Sequence, residues 1–218
     1  MKLIIFSCVI CVVAAVGFVF TRSPDVNTSI PAAETQAIST VMSPAPLPTA
    51  DSSANSSSND LLIPEANAKL APDLIVGKWI NSSPLRASDL RGKVVLLDFW
   101  TFGCYNCVNT LPTLKRFDAT YRSKGLTIIG IETPELDFEH SFDNLAAAVK
   151  KRGIEYPVLT DYDFANWNAF KVEAWPTVII LDKAGRIRYR HIGEGAYEMQ
   201  ENVIKTLLAD ADRNHPEL

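Results

Sequence analysis

The run Val94-Val95-Leu96-Leu97-Asp98-Phe99-Trp100 limits the fold more than any other stretch of this chain. Strand side chains alternate between two faces, so a run that is apolar at odd and even positions leaves neither face for water. Such a strand belongs at the centre of a sheet covered by helices on each side. Cys104-Tyr105-Asn106-Cys107 follows directly, and then apolar residues recur at helical spacing at Val108, Leu111, Leu114, Phe117 and Tyr121. Pro112 falls inside that pattern and predicts a kink. Two cysteines at this spacing either close a small disulfide ring or share a metal. Their place between a buried strand and a helix favours redox chemistry. A thiol in the first helical turn faces the positive end of the macrodipole, which favours the thiolate, the species that attacks disulfides. Cys104 is thus the candidate nucleophile.

The rest of the folded part reads as one domain over 64–218, with no internal repeat. Residues 73–80 predict a short strand or hairpin and 88–90 a brief helical turn. Gly125 ends the helix after the cysteines, and 126–131 is the next buried strand. A helix over 142–151 closes at Gly153, 156–159 is a short extended piece, and 164–170 a further helix. Residues 177–181 form a third buried strand, Asp182-Lys183-Ala184-Gly185 turns into a strand at 186–190, and 197–208 is a last amphipathic helix. Strands that alternate with helices and end in a hairpin imply a layered α/β domain with a mixed sheet.

The first 63 residues differ in kind. Residues 3–20 are apolar almost throughout, with Lys2 before them and Arg22 behind, which suits a signal anchor (an uncleaved membrane helix) or a signal peptide over 1–22. Cys8 and Cys11 lie inside it as small apolar side chains. Residues 23–63 turn to Pro, Ser, Ala, Thr and Asn, a flexible tether whose span is on the order of 35 Å by coil scaling. The net charge of −4 and the lack of a basic stripe exclude nucleic acid as an expected partner. With Cys8 and Cys11 in the apolar segment, only Cys104 and Cys107 remain for the domain, which excludes a disulfide-stapled scaffold.

Asp98-Phe99-Trp100 before Cys104-Tyr105-Asn106-Cys107, with Trp175-Pro176-Thr177 opening a late strand, resembles the thioredoxin superfamily. The longer text over 71–208 is similar to the membrane-tethered TlpA and ResA group and to the thioredoxin-like part of DipZ proteins. It is carried by 90–100, Glu132-Thr133-Pro134-Glu135, Asn166-Trp167-Asn168-Ala169 and Gly193-Glu194-Gly195-Ala196-Tyr197. The resemblance implies a thioredoxin-like α/β fold, preceded here by a membrane anchor and a disordered tether. It implies an attacking Cys104, a resolving Cys107 and a Cys104–Cys107 disulfide. Pro176 matches a cis-proline that presents backbone to the client, which an X-Pro bond permits at about 0.5–1 kcal/mol. Asp98 matches a buried carboxylate behind the second cysteine, a proton acceptor whose pKa burial raises. Glu135 aligns with an acidic residue near the disulfide, Glu132 being the competing choice. Trp100, Trp175 and Thr177 are candidates for the client groove, the two tryptophans equally for the core.

These readings together imply an extracytoplasmic, periplasmic thiol–disulfide oxidoreductase, tethered to the membrane or secreted if the segment is cleaved. It would exchange disulfides with client proteins, as a reductase recharged by a membrane electron carrier of the CcdA or DsbD type, with no cofactor beyond its cysteines and no metal. Tyr105-Asn106 replaces the Gly-Pro of standard thioredoxin, and that dipeptide bears on the direction of electron flow. Rival readings are copper handling through the same cysteines, for which His140, His191 and His215 show no ligand-like spacing, and a non-enzymatic client-binding module. A peroxidase of this fold would need a Pro-x-x-x-Thr-x-x-Cys context that 98–104 lacks.

Overall fold

The computed structural model describes residues 62–75 and 77–210. The anchor and most of the tether expected from the sequence lie outside the described residues. Leu62 and Ile63, placed at the tether's end by composition, pack onto the domain. Leu62 is buried, and the Ile63 N–H donates to the Arg188 carbonyl at 2.8 Å.

In chain order the elements are β1 (Trp79–Ile80), α1 (Ala87–Leu90), β2 (Val94–Trp100), α2 (Tyr105–Tyr121), β3 (Leu126–Glu132), α3 (Phe142–Arg152), β4 (Val158–Thr160), α4 (Ala165–Ala169), β5 (Thr177–Leu181), β6 (Ile187–Ile192) and α5 (Tyr197–Ala209). The six strands form one mixed sheet in the order β1-β4-β3-β2-β5-β6. β2, β3 and β4 run parallel, while β1, β5 and β6 pair antiparallel to their neighbours. This is the thioredoxin-like arrangement the resemblance implies. Two parallel connections through helices are followed by a terminal hairpin.

All seven residues of β2 are buried, as a two-sided apolar run requires. Val94, Leu96 and Trp100 face one side with Leu126 and Ile128, under Leu111, Leu114 and Phe117 of α2 and Val203, Ile204 and Leu207 of α5. Val95, Leu97 and Phe99 face the other with Ile129, Ile131, Phe170 and Ile179. Each such side chain withdrawn from water contributes about 1.5–3 kcal/mol before entropy is subtracted. The second face is closed by α4, by Trp79 of β1 and Leu90 of α1, and by loop residues Ala71, Leu74 and Leu85, not by long helices.

One local expectation changes. Residues 73–75 and 77–78 form no strand; only Trp79–Ile80 joins the sheet. The Asn166 side chain supplies what a neighbouring strand would, accepting from the Ile75 N–H at 2.7 Å and donating to its carbonyl at 3.2 Å. Pro112 lies inside α2, which runs on to Tyr121 as the apolar spacing predicts, with the proline ring on its exposed face. Glycines close α2 and α3 as the sequence suggests, and a side chain caps the start of α3. Ser141 accepts from the Asn144 N–H at the start of α3, and Gly125 and Gly153 adopt left-handed conformations after α2 and α3.

Candidate active site

α2 begins at the C-terminal end of β2, and Cys104 is its N-cap. The first N–H groups of a helix have no partner within it. One of them, from Cys107, points at the Cys104 sulfur at 3.3 Å. A thiolate on Cys104 is thus met by a donor and by the helix dipole. Cys104 is half-buried, Cys107 is fully buried one turn further on, and both are free thiols. Burial pushes the Cys107 thiol well above its ordinary range, and the contact with Cys104 pushes it further. The pair is therefore unequal. The outer sulfur is reachable and faces a helix N–H, and the inner one holds its proton.

Asp98 lies on β2 between Gly130 and Val178, fully buried, with neither carboxylate oxygen hydrogen-bonded. Desolvation raises its pKa from 3.8 to about 7. When ionised it opposes ionisation of Cys107 electrostatically, so the two groups compete for one proton. A carboxyl poised near neutrality on the buried side of Cys107 can accept the proton that Cys107 must lose before it attacks.

The Trp175–Pro176 peptide bond is cis. Pro176 is buried and its carbonyl accepts from the Gly193 N–H at 2.7 Å, tying the loop before α5 to the site. Trp175 is partly exposed and packs against the same core cluster as Cys104. Its indole donates to the Thr133 carbonyl at 3.0 Å and stacks on Trp167 with centroids 4.3 Å apart. Asp161 fixes that stack, accepting from the Thr133 hydroxyl at 3.1 Å and from the Trp167 N–H at 2.8 Å.

Two groove candidates are relocated. Trp100 and Thr177 have no exposed surface, so neither lines an open groove. Trp100 projects onto the α2 side of the sheet, over Gly130, where a Cβ would stand 2.9 Å from its indole nitrogen. Thr177 opens β5 and turns its hydroxyl back to the Ala174 carbonyl at 2.7 Å. The acidic pair also separates. Glu135 is exposed on the loop after β3. Glu132 is fully buried at the end of β3, opposite Trp100, with both oxygens unpartnered. Burial, then the nearby Glu139 and Asp161, raise its pKa to about 8.

Glu139 was not singled out from the sequence. It sits in a 3-10 turn, Asp137–His140, and is fully buried. One carboxylate oxygen accepts from the Gly103 N–H at 2.7 Å; the other accepts from the Glu135 and Leu136 N–H groups at 2.7 and 2.8 Å. Glycine is needed at 103, because a Cβ there would lie 2.4 Å from that carboxylate. Arg152 of α3 donates to the Phe102 carbonyl at 2.7 Å, so the chain entering Cys104 is held at two successive residues.

Residues 66–208 match the Redoxin family. The DipZ protein of Mycobacterium tuberculosis is 38% identical over 146 residues, covering 65% of this chain but only 21% of DipZ. The chain thus spans about a fifth of the length of that relative. The thiol-disulfide oxidoreductase ResA of Bacillus thuringiensis is 28% identical over 139 residues, 64% of this chain and 77% of ResA. Among solved structures, a secreted thiol-disulfide isomerase from Corynebacterium glutamicum superposes with a TM-score of 0.59 at 25% identity, covering 69% of this chain and 90% of that one. The chain belongs to the Redoxin family, in the TlpA/ResA-like group of the thioredoxin superfamily.

Proposed function

We propose that the protein is an extracytoplasmic thiol–disulfide oxidoreductase that reduces disulfides in client proteins. The observation that carries this reading is the unequal pair, a reachable Cys104 capping α2 and a buried, proton-holding Cys107 backed by Asp98. Cys104 thiolate attacks a client disulfide, forming a Cys104–client disulfide and releasing one client thiolate. Cys107 passes its proton to Asp98 and attacks the Cys104 sulfur. The Cys104–Cys107 disulfide forms, the second client thiolate leaves, and two electrons have moved to the client. The client strand lies beside the cis peptide at Pro176.

The reductive direction is supported by the inner thiol. Strong oxidants of this chemistry owe their potential to a stabilised reduced form. Cys107, kept as a thiol by burial, adds no thiolate stabilisation of that kind to the reduced form. A potential near −270 mV for the Cys104–Cys107 couple fits the reductant, and one near −120 mV would reverse the assignment. Recharging then requires a dithiol donor, for which a membrane carrier of the CcdA or DsbD type is the proposed partner. Residues 3–20 as an anchor or leader support an extracytoplasmic location, as does the likeness to a secreted isomerase. Among the described residues, no helix is long and apolar enough to cross a membrane.

The decisive experiment is Cys107→Ala. The variant should accumulate a stable mixed disulfide between Cys104 and a client, visible on non-reducing gels and released by dithiothreitol. Absence of any such adduct, with the protein folded and Cys104 alkylatable, would sink the proposal.

A further inference from the structure

We infer that the turn after β3, residues 134–140, is a client-selecting wall, and that the site takes an extended segment with an apolar residue beside its cysteine and Lys or Arg near by. This rests on exchange at Cys104 and adds the class of client. Three of the six large apolar side chains exposed among the described residues lie on this turn or next to the nucleophile in the chain: Leu136 is 48% exposed and Phe138 51%, and Tyr105, directly after Cys104, 78%. Phe138 stands edge-on to Phe102 with centroids 5.6 Å apart, and its ring tip would be 3.1 Å from a Cβ on Gly103, the residue before the nucleophile. The wall is built rather than incidental. Glu139 turns inward and binds three backbone N–H groups, and this holds the turn against Gly103 while Leu136 and Phe138 face outward. Gathered apolar surface that stays exposed beside a reactive centre marks a contact for a partner.

Charge supplies the second part. Of the loops around the nucleophile, 101–106, 134–140 and 193–196 contain no Lys or Arg, while Glu135, Asp137 and Glu194 are exposed on them; the loop into Pro176 adds one exposed residue of each sign, Lys171 and Glu173. Glu194 is held beside the first turns of α2 by the Asn109 amide at 3.2 Å. An apolar strip between acidic flanks attracts basic segments and repels acidic ones.

The test uses two synthetic peptides of equal length, each carrying one cysteine as its glutathione mixed disulfide. One has Leu and Phe beside the cysteine and Lys or Arg outside them; the other has Ser and Asp or Glu at those positions. The reduced protein should react with the first about tenfold faster or more, and salt should remove only the charge-dependent part of the ratio. Leu136→Ser should narrow the ratio through the apolar part, with Phe138→Ser as a second variant. Asp137→Lys should narrow it through the charge part. Equal rates for both peptides, while glutathione disulfide itself still reacts, overturn the wall and leave the exchange reading standing. Failure of all three disulfides to react overturns exchange at Cys104 and the wall with it.

Discussion

Asp98→Asn isolates what burying a carboxyl costs this domain. Moving its pKa from 3.8 to about 7 corresponds to about 4 kcal/mol at 1.36 kcal/mol per pH unit. The sign follows from proton counts. Between about pH 4 and pH 7 the folded protein keeps a proton that the unfolded chain has released. The unfolded state therefore binds fewer protons, and stability falls as pH rises through that window. Below it both states hold the proton; above it both have lost it, and the full cost is present. An amide cannot ionise, so the variant lacks this slope. Its own constant cost, an unpaired amide in an apolar site, cancels when the variant is compared with itself across pH.

The assay is guanidinium unfolding of the reduced protein at pH values from 4 to 8, followed by tryptophan fluorescence. The stability of Asp98→Asn relative to the parent should rise by about 4 kcal/mol between pH 4 and pH 7.5. The same variant should resolve the Cys104–client disulfide about a hundredfold more slowly near neutral pH, because Cys107 has lost its proton acceptor. A stability difference that stays flat from pH 4 to 8 would refute the reasoning. Asp98 would then be hydrated or paired, and its role as acceptor would lose its physical basis.

Two further substitutions probe the neighbouring acids. Glu139→Ala removes the acceptor of three backbone N–H groups and should destabilise the fold by about 3 kcal/mol or more; an unfolding midpoint unchanged in denaturant would show that water replaces the carboxylate without loss. Glu132→Gln abolishes a carboxyl whose pKa burial raises from 4.5 to about 8, so the variant should gain on the parent as pH rises through that range, the same sign as for Asp98. Unfolding curves at pH 5 and pH 9 decide it, and a relative stability equal at both would show that Glu132 is not desolvated.

What the sequence made legible was whatever leaves a period or a punctuation mark. β2 and β5 follow from two-sided apolar runs, α2 and α5 from a 3.6-residue stripe, and two helix ends from Gly125 and Gly153. The unequal cysteine pair was legible because a helix start fixes what its first N–H groups do. Glu139 was not, because its three partners are backbone groups, which impose no side-chain pattern on the sequence. Nearness along the chain also misled. Trp100 and Thr177 border the motifs, yet the strand direction turns both inward, while Phe138, more than thirty residues after Cys104, packs edge-on to Phe102 beside Gly103. The 73–80 segment, with its apolar Leu74-Ile75-Val76 run, read as a short strand or hairpin, and only its last two residues pair in the sheet. The structure instead satisfies the Ile75 backbone with a side chain, Asn166.

The chemistry depends on placing one thiol at a helix cap and the other one turn inside. At the cap, Cys104 receives an unpaired N–H and keeps contact with solvent. One turn on, Cys107 faces the sheet, where desolvation holds its proton until Asp98 takes it. Neither cysteine could exchange roles with the other, since moving the nucleophile inward would remove both its donor and its access. The sheet makes this arrangement rigid. The β2 strand that carries Asp98 is hydrogen-bonded on both edges, and the chain between it and α2 is held at Phe102 and Gly103. Loosening that chain, as Glu139→Ala does, should therefore blunt the difference between the two thiols before it unfolds the domain. Cys104 alkylation at neutral pH would slow while Cys107 became reachable.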